Sequence, residues 1–460
     1  MSLTDTRQRA PHDDTAPRPD TTPAAGERWL PIVDQDDAAR FPHACQPETV
    51  VRPTPAASRN RLLGLDVARG IALVGMIAIH TIESDDGNGA MSLPWVLSLG
   101  KASALFAVLG GVGIAFIAGR RQAPRGLQAA RLSTASVVRG LVVVFLGLLL
   151  GSLVPGQQAM VVLPYLGVMF VVAALLVPLR TRTLLALGLT WAFIAPVLSH
   201  VVRQHLPAQP QDSANLTLGS LADPLHVLGV LLFTGAFPVV TWMAYVCIGM
   251  ALGRADLRAR RTVAMTLGGG LLLALVSAVI SQLFGNELGL RERLAHDVAG
   301  RMSLDAFTDY LVFGGSCGLP TDSPWWLAVN APHSGTTLDL LYTIGISLAV
   351  IGACLALTSA FNSRFALLAV PGSMTLTIYS LHVMALQPTA VLTNDVSSYV
   401  DFWLHVVPLV VFALVWRRFF ARGPLEEVVA RITNVVRPQR PDSHVRGGAL
   451  KRDGTLVVQR

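Results

Sequence analysis

The chain has 460 residues, of which 52% are hydrophobic and 14% charged, against roughly a quarter charged in an ordinary soluble protein. Its mean hydropathy of +0.52 means more apolar surface than soluble cores absorb, which argues against both a disordered chain and a soluble enzyme. The formal net charge of +7 is carried by short arginine clusters between apolar runs, a pattern of membrane topology and not of a nucleic-acid-binding face.

Residues 1–60 are rich in Pro, Asp, Arg and Thr and contain no apolar run, so they read as a disordered tail and not as a signal peptide. Their one apolar patch is AAGERWLPIV. Residues 61–435 form the membrane domain, and 436–460 read as a second tail. Ten segments of the membrane domain approach the roughly 20 apolar residues that a spanning helix needs. They are 62–82, 94–118, 136–153, 158–178, 183–203, 235–253, 262–285, 339–361, 365–388 and 402–420, the third and fourth joined by a tight turn at Pro155-Gly156. The expected fold is an all-α, multi-pass helix bundle in the cell membrane.

Charge orients the bundle. With the N-terminus in the cytoplasm, the inward loops hold Arg120, Arg121, Arg125, Arg131, Arg180, Arg182, Arg254, Arg258, Arg260, Arg261 and Arg364. The short outward loops hold no Lys or Arg, but Glu83, Asp85, Asp86, Asp395 and Asp401. This obeys the positive-inside rule, and ten spans return the C-terminus to the same side. Two outward loops, near 204–234 and 286–338, are long, and the second, with Trp325, Trp326 and His333, is expected to hold short helices that cap the outer face. Cys45, Cys247, Cys317 and Cys354 show neither metal-ligand spacing nor a disulfide framework.

The first span, RLLGLDVARGIALVGMIAIHT, places Asp66, Arg69 and His80 in apolar surroundings. An ionisable group near the bilayer centre costs about 2.5–3.5 kcal/mol, so such groups tend to be paired or functional. Arg69 and His80 fall about 20° apart around the helix and about 16 Å apart along it. Asp66, three residues before Arg69, shares that sector. Histidine at this place suits general-base chemistry. A structural Asp66–Arg69 ion pair is the alternative for the acidic and basic members.

Lys101, near the outer end of the second span, suits stabilisation of an oxyanion or a snorkelling cation. In the ninth span Tyr379 and His382 face one way, and His382 reaches a depth near that of His80; hydrogen bonding between helices is the alternative. His333 and Ser334, in APHSGT, stand just outside the eighth span and suit an acceptor entrance or a plain turn. Asp339 is available to a nearby cation, and Glu83, Asp85 and Asp86 either orient His80 or are simply solvated. His200, His205, His226, His296 and His405 have no motif around them. Gly110-Gly111 and Gly268–Gly270 suit close helix packing. Pro424, Glu426 and Glu427 open a cytoplasmic helix in RGPLEE.

RLLGLDVARGIALVGMIAIH resembles the opening signature of polytopic membrane acyltransferases. Arg69 and His80 reproduce the arginine–ten residues–histidine spacing of the acyltransferase-3 family. LDVARGIALVGM is closer to the bacterial relatives of heparan-alpha-glucosaminide N-acetyltransferase. KASALFAVLGGVG, WMAYVCIGMALGR, APHSGTTLDLL, PGSMTLTIYSLH and RGPLEEVVARIT extend the likeness over residues 60–435. The resemblance implies acyl transfer, commonly of acetyl, from cytoplasmic acyl-CoA to an extracytoplasmic glycan or similar acceptor, with no metal. The family's lysosomal enzyme carries its catalytic histidine in the loop after the first span. That loop, TIESDDGNGAMSLP, has none here, so His80 is the candidate, as base or as acyl carrier.

A transporter or flippase is the competing expectation, since ionisable residues along one face suit a substrate path. Against it stands the lack of an inverted repeat. A non-catalytic scaffold is the third. Membrane lipid and a glycan or small-molecule acceptor are the expected partners, nucleic acid is not, and a homodimer is compatible with the sequence.

Overall fold

The computed structural model describes residues 62–436 apart from 88–89, 120–122, 208–214, 316–318 and 393–396. The two expected tails, save Val436, lie outside the described residues, as do Cys45, Arg120, Arg121, Cys317 and Asp395. The described chain is helical, without a strand among the described residues. In order the helices are α1 (Leu63–Thr81), α2 (Leu93–Ser98), α3 (Lys101–Ile117), α4 (Gly126–Gly151), α5 (Leu163–Leu176), α6 (Thr181–Arg203), α7 (Pro224–Gly229), α8 (Val239–Arg254), α9 (Arg260–Gln282), α10 (Leu290–Val298), α11 (Leu304–Phe313), α12 (Thr337–Ala360), α13 (Ala366–Gly372), α14 (Thr375–Leu392), α15 (Ser398–Phe419) and α16 (Pro424–Asn434).

Seven elements are long and apolar enough to cross a membrane alone: α1, α2 with α3, α4, α6, α9, α12 and α15. Two more are bent pairs, α7 and its π-turn against α8 at 57° and α13 against α14 at 86°. The protein is therefore a multi-pass membrane protein, with seven to nine such helices among the described residues and α5, only 14 residues long, as a shorter apolar companion.

Three details differ from the sequence reading. The ninth segment is not one straight span. Pro371 and Gly372 close α13, and the chain turns sharply at Ser373 and Met374 before α14 begins. The turn at Pro155-Gly156 is not tight, since α4 ends at Gly151 and α5 starts at Leu163. The intervening strip is held open by Asn215, which accepts from the Val161 amide at 2.8 Å and donates to the carbonyls of Val154 and Ala159 at 3.0 and 2.8 Å. Finally, α4 begins ten residues before the expected edge, because the arginine-bearing loop is itself helical from Gly126.

Burial sorts the helices. Within the most apolar windows, 61% of α1 and 67% of α2–α3 is buried, but only 22% of α9 and 11% of α15. Polar side chains placed on α1 and α3 therefore meet protein, while α9 and most of α15 present apolar surface outward. Close crossings fix α1. A Cβ at Gly372 would overlap the Asp66 carbonyl oxygen, and one at Gly70 the Leu368 carbonyl oxygen, so α13 lies on α1 backbone to backbone. Gly111 and Gly249 do the same for α3 and α8. Of the other glycines read as packing positions, Gly270 meets α12, Gly110 faces Phe170, and Gly268 and Gly269 touch nothing.

The long loop before α12 folds as expected into short helices. Leu290, Leu294, Phe307 and Trp326 of α10, α11 and the 3₁₀ turn Pro324–Ala328 make a small second core.

Candidate functional site

The two ends of α1 carry different chemistry. At the first, Arg69 donates to Asp66 at 2.9 Å, and Asp66 is 4% exposed. The expected pair is thus formed, but it leaves Arg69 facing a cavity of about 290 Å³ between α1, α3, α4, α5 and α14. Arg139, about half-way along α4, faces the same cavity and lies 5.7 Å from the Phe170 ring. Ser373, Thr375, Tyr379 and Glu426 complete its polar lining.

Glu426 serves a second purpose. Its carboxylate accepts the amides of Leu376 and Thr377 at 2.8 and 3.1 Å and the Thr377 hydroxyl at 2.6 Å. The first turn of α14 has amides without intrahelical partners, and a carboxylate at a helix N-terminus also meets the positive end of its dipole. The helix expected from RGPLEE is therefore bonded to the bundle and forms part of the cavity wall. Its neighbour Glu427 pairs with Arg422 and Arg431, each at 3.0 Å, and Arg431 and Arg422 hold its carboxyl below the usual range.

At the other end, His80 Nδ1 lies 3.1 Å from His382 Nε2, with the rings stacked at a centroid distance of 5.3 Å. The bond occupies Nδ1 of His80 and leaves Nε2 for chemistry. His382 is fully buried, and its Nδ1 has no hydrogen-bond partner. The His405 ring stands edge-on to His382 at 4.9 Å. His405 is fixed in turn by the Thr389 hydroxyl at 3.1 Å and the Asp401 carbonyl at 3.0 Å, while an Asp401 carboxylate oxygen lies 3.5 Å from the same ring nitrogen without a hydrogen bond. The sequence reading passed over His405; its signal was Asp401 four residues earlier, one turn away on the same helix face. Arg139 was missed too, although a lone arginine deep in an apolar helix is costly unless it lines a polar space.

The cavity stops short of these histidines. Its far wall includes Met76 and Tyr379, four residues before His80 and three before His382, or about one helical turn. The Tyr379 hydroxyl accepts from the Val162 amide at 3.2 Å. Tyr379 therefore walls the cavity while His382 meets His80.

His333 and Ser334 belong to another cluster. The His333 ring stacks on Trp242 at 6.2 Å, 3° from parallel, and meets Phe237 edge-on at 5.4 Å. Its φ of 59° is the one positive value at a non-glycine among the described residues, a strained geometry often tied to function. Burial and the Lys101 charge push its pKa down to about 4, so it is neutral at pH 7. Ser334 lies 3.4 Å from the Thr336 hydroxyl. Asp339, nearly buried, accepts the Gly335 amide at 2.9 Å. Lys101 donates to the carbonyls of Val96 and Leu99 at 2.7 and 3.5 Å and sits 5.8 Å from the Tyr342 ring. None of these hydrogen bonds joins Lys101 or His333 to His80. The Glu83 carbonyl accepts from the Ser92 hydroxyl, and the Asp85 and Asp86 carboxylates accept the amides of Gly87 and Ala90 in the loop after α1. Among the described residues, no group of three or more His, Cys, Asp and Glu side chains is gathered to hold a metal ion.

A helical, multi-pass membrane domain with two arginines on a cavity and a histidine pair beyond it defines a class of protein. Within that class, residues 61–282 match the family model described as heparan-alpha-glucosaminide N-acetyltransferase, catalytic. The matched stretch is similar to the catalytic region of those enzymes and runs from α1 to the end of α9. Arg69, His80, Lys101 and Arg139 lie inside it, while His333, His382, His405 and Glu426 lie beyond it. No curated protein matches the chain.

Proposed function

We propose that the protein is a membrane acyltransferase that moves an acetyl group from acetyl-CoA to a glycan or similar acceptor on the far side of the membrane. The observation that carries this reading is the course of the cavity along α1. It begins beside Arg69 and Arg139 and ends one turn below the His80–His382 pair. The arginines suit the phosphates of the donor, which Arg binds in planar, charge-assisted geometry. The apolar lining, to which Phe106, Leu109 and Leu166 contribute, suits an extended pantetheine arm. The positive-inside bias of the arginine-rich loops supports a cytoplasmic position for this end, where acyl-CoA is made.

His80 Nε2 then takes the proton from the acceptor hydroxyl or amine as that atom attacks the thioester carbonyl. The carbon–sulfur bond breaks, and the CoA thiolate recovers the proton from the imidazolium. In the second route Nε2 itself takes the acetyl group and passes it on. Both give acetylated acceptor and free CoA. His382 orients the ring in either route.

Acetyl-CoA is expected to bind the detergent-purified protein saturably, and free CoA to appear slowly. His80→Ala should keep the binding and lower CoA release by about a hundredfold or more. Absence of binding over a wide concentration range overturns the assignment.

A further inference from the structure

A second recess, of about 450 Å³, lies on the other side of the α1–α3 contact, between α1, α2, α3, α12 and α15. Its walls are almost wholly apolar, and α15, which forms one of them, is mostly unburied. Lys101 is its single charged lining residue, and no carboxylate lines it. Asp339 is near enough to feel the Lys101 charge, but it forms no ion pair with it. The ammonium has three donors, of which two reach the carbonyls of Val96 and Leu99.

The position of that cation matters. Lys101 opens α3, Tyr342 is in the second turn of α12, and Tyr399 is in the first turn of α15. All lie near the same ends of their helices. Tyr399 and Trp403, 53% and 56% exposed, add the aromatic pair typical of a membrane interface. From this level the recess descends past Gly75 and Ile71, about 10 and 16 Å along α1 from Ile82. One positive charge at interface depth above an apolar slot is the complement of one amphiphile.

We infer that this recess binds an anionic phospholipid, with its phosphate against Lys101 and one acyl chain between α1, α12 and α15. The charge selects the anionic head, and the slot takes the chain through its apolar surface. A lipid held there would brace α15, the helix that supplies His405 to the histidine cluster. The inference does not depend on acyl transfer.

Native mass spectrometry of the purified full chain with dioleoyl phosphatidylglycerol or dioleoyl phosphatidylcholine tests it. The protein should retain one phosphatidylglycerol, saturably and about fivefold more tightly than phosphatidylcholine. Lys101→Gln should erase that preference. Val350→Trp, which fills the lower slot, should weaken dioleoyl binding and leave dihexanoyl phosphatidylglycerol unaffected. Equal retention of both lipids by the unsubstituted protein overturns the inference, and this comparison stands even where a variant fails to fold. It is also overturned by a Lys101→Gln protein that keeps the preference, or by a chain that excludes lipid and pairs with a second copy through α15.

Discussion

The two ends of α1 solve opposite problems with the same kind of residue. At the Arg69 end, Arg69, Arg139 and Glu426 line a cavity, with Arg69 paired to Asp66 and Glu426 bonded to the start of α14. At the His80 end, polar groups are packed against one another, and His382 is fully buried. An arginine cannot lose its charge, so it is kept where a cavity or a carboxylate can meet it. An imidazole can be neutral, so the stacked His80–His382 pair can be packed inside the bundle, with the His405 ring edge-on to it. A ligand that uses both ends would have its charge held at one and its reacting atoms at the other.

This contrast can be broken by substitution. His382→Ala is the sharper tool, because it frees His80 Nδ1 without touching the cavity. Turnover of acetyl-CoA should fall by about a hundredfold, the pH–rate profile should shift, and acetyl-CoA affinity measured by calorimetry should hold. His382→Gln, which can still hydrogen-bond, should recover part of the rate. Arg139→Gln should give the converse: a dissociation constant for acetyl-CoA raised about tenfold or more, from loss of a charge-assisted contact worth about 1.5–3 kcal/mol, with little change in the rate at saturation. If both variants fail in both measurements, the ends are not separate. The smallest expected effect is that of Glu426→Ala. It uncaps α14 and should cost about 1 kcal/mol, read as a lower thermal midpoint in detergent. Glu426→Asp should not restore it, because the shorter side chain falls away from Leu376 and Thr377.

Much of this was legible in the residues. Runs of apolar side chains about twenty long identify spanning helices because no other open segment satisfies its backbone in lipid. The eleven-residue spacing of Arg69 and His80 put both on one face because helix geometry is local. His382 was read to the right depth for the same reason. His405 and Arg139 were not read, since the ring that His405 meets, His382, and the cavity that Arg139 lines belong to other helices. Lys101 shows the reverse case. Its depth was legible, but the recess that it faces is walled by five helices and has no signature in any of them.

The sequence by itself determined that the chain is an all-helical membrane protein, where its apolar segments lie, and which face of α1 carries its polar groups. These depend on composition and on a period of 3.6 residues, both local. The tertiary structure decided that the ninth segment breaks at Ser373, that α16 reaches back to cap α14, and that His80 meets His382 and not Lys101. Those outcomes depend on which helices cross closely. Crossings are set by pairs such as Gly70 against Leu368 and Gly372 against Asp66, about three hundred residues apart in the chain, which no local pattern couples.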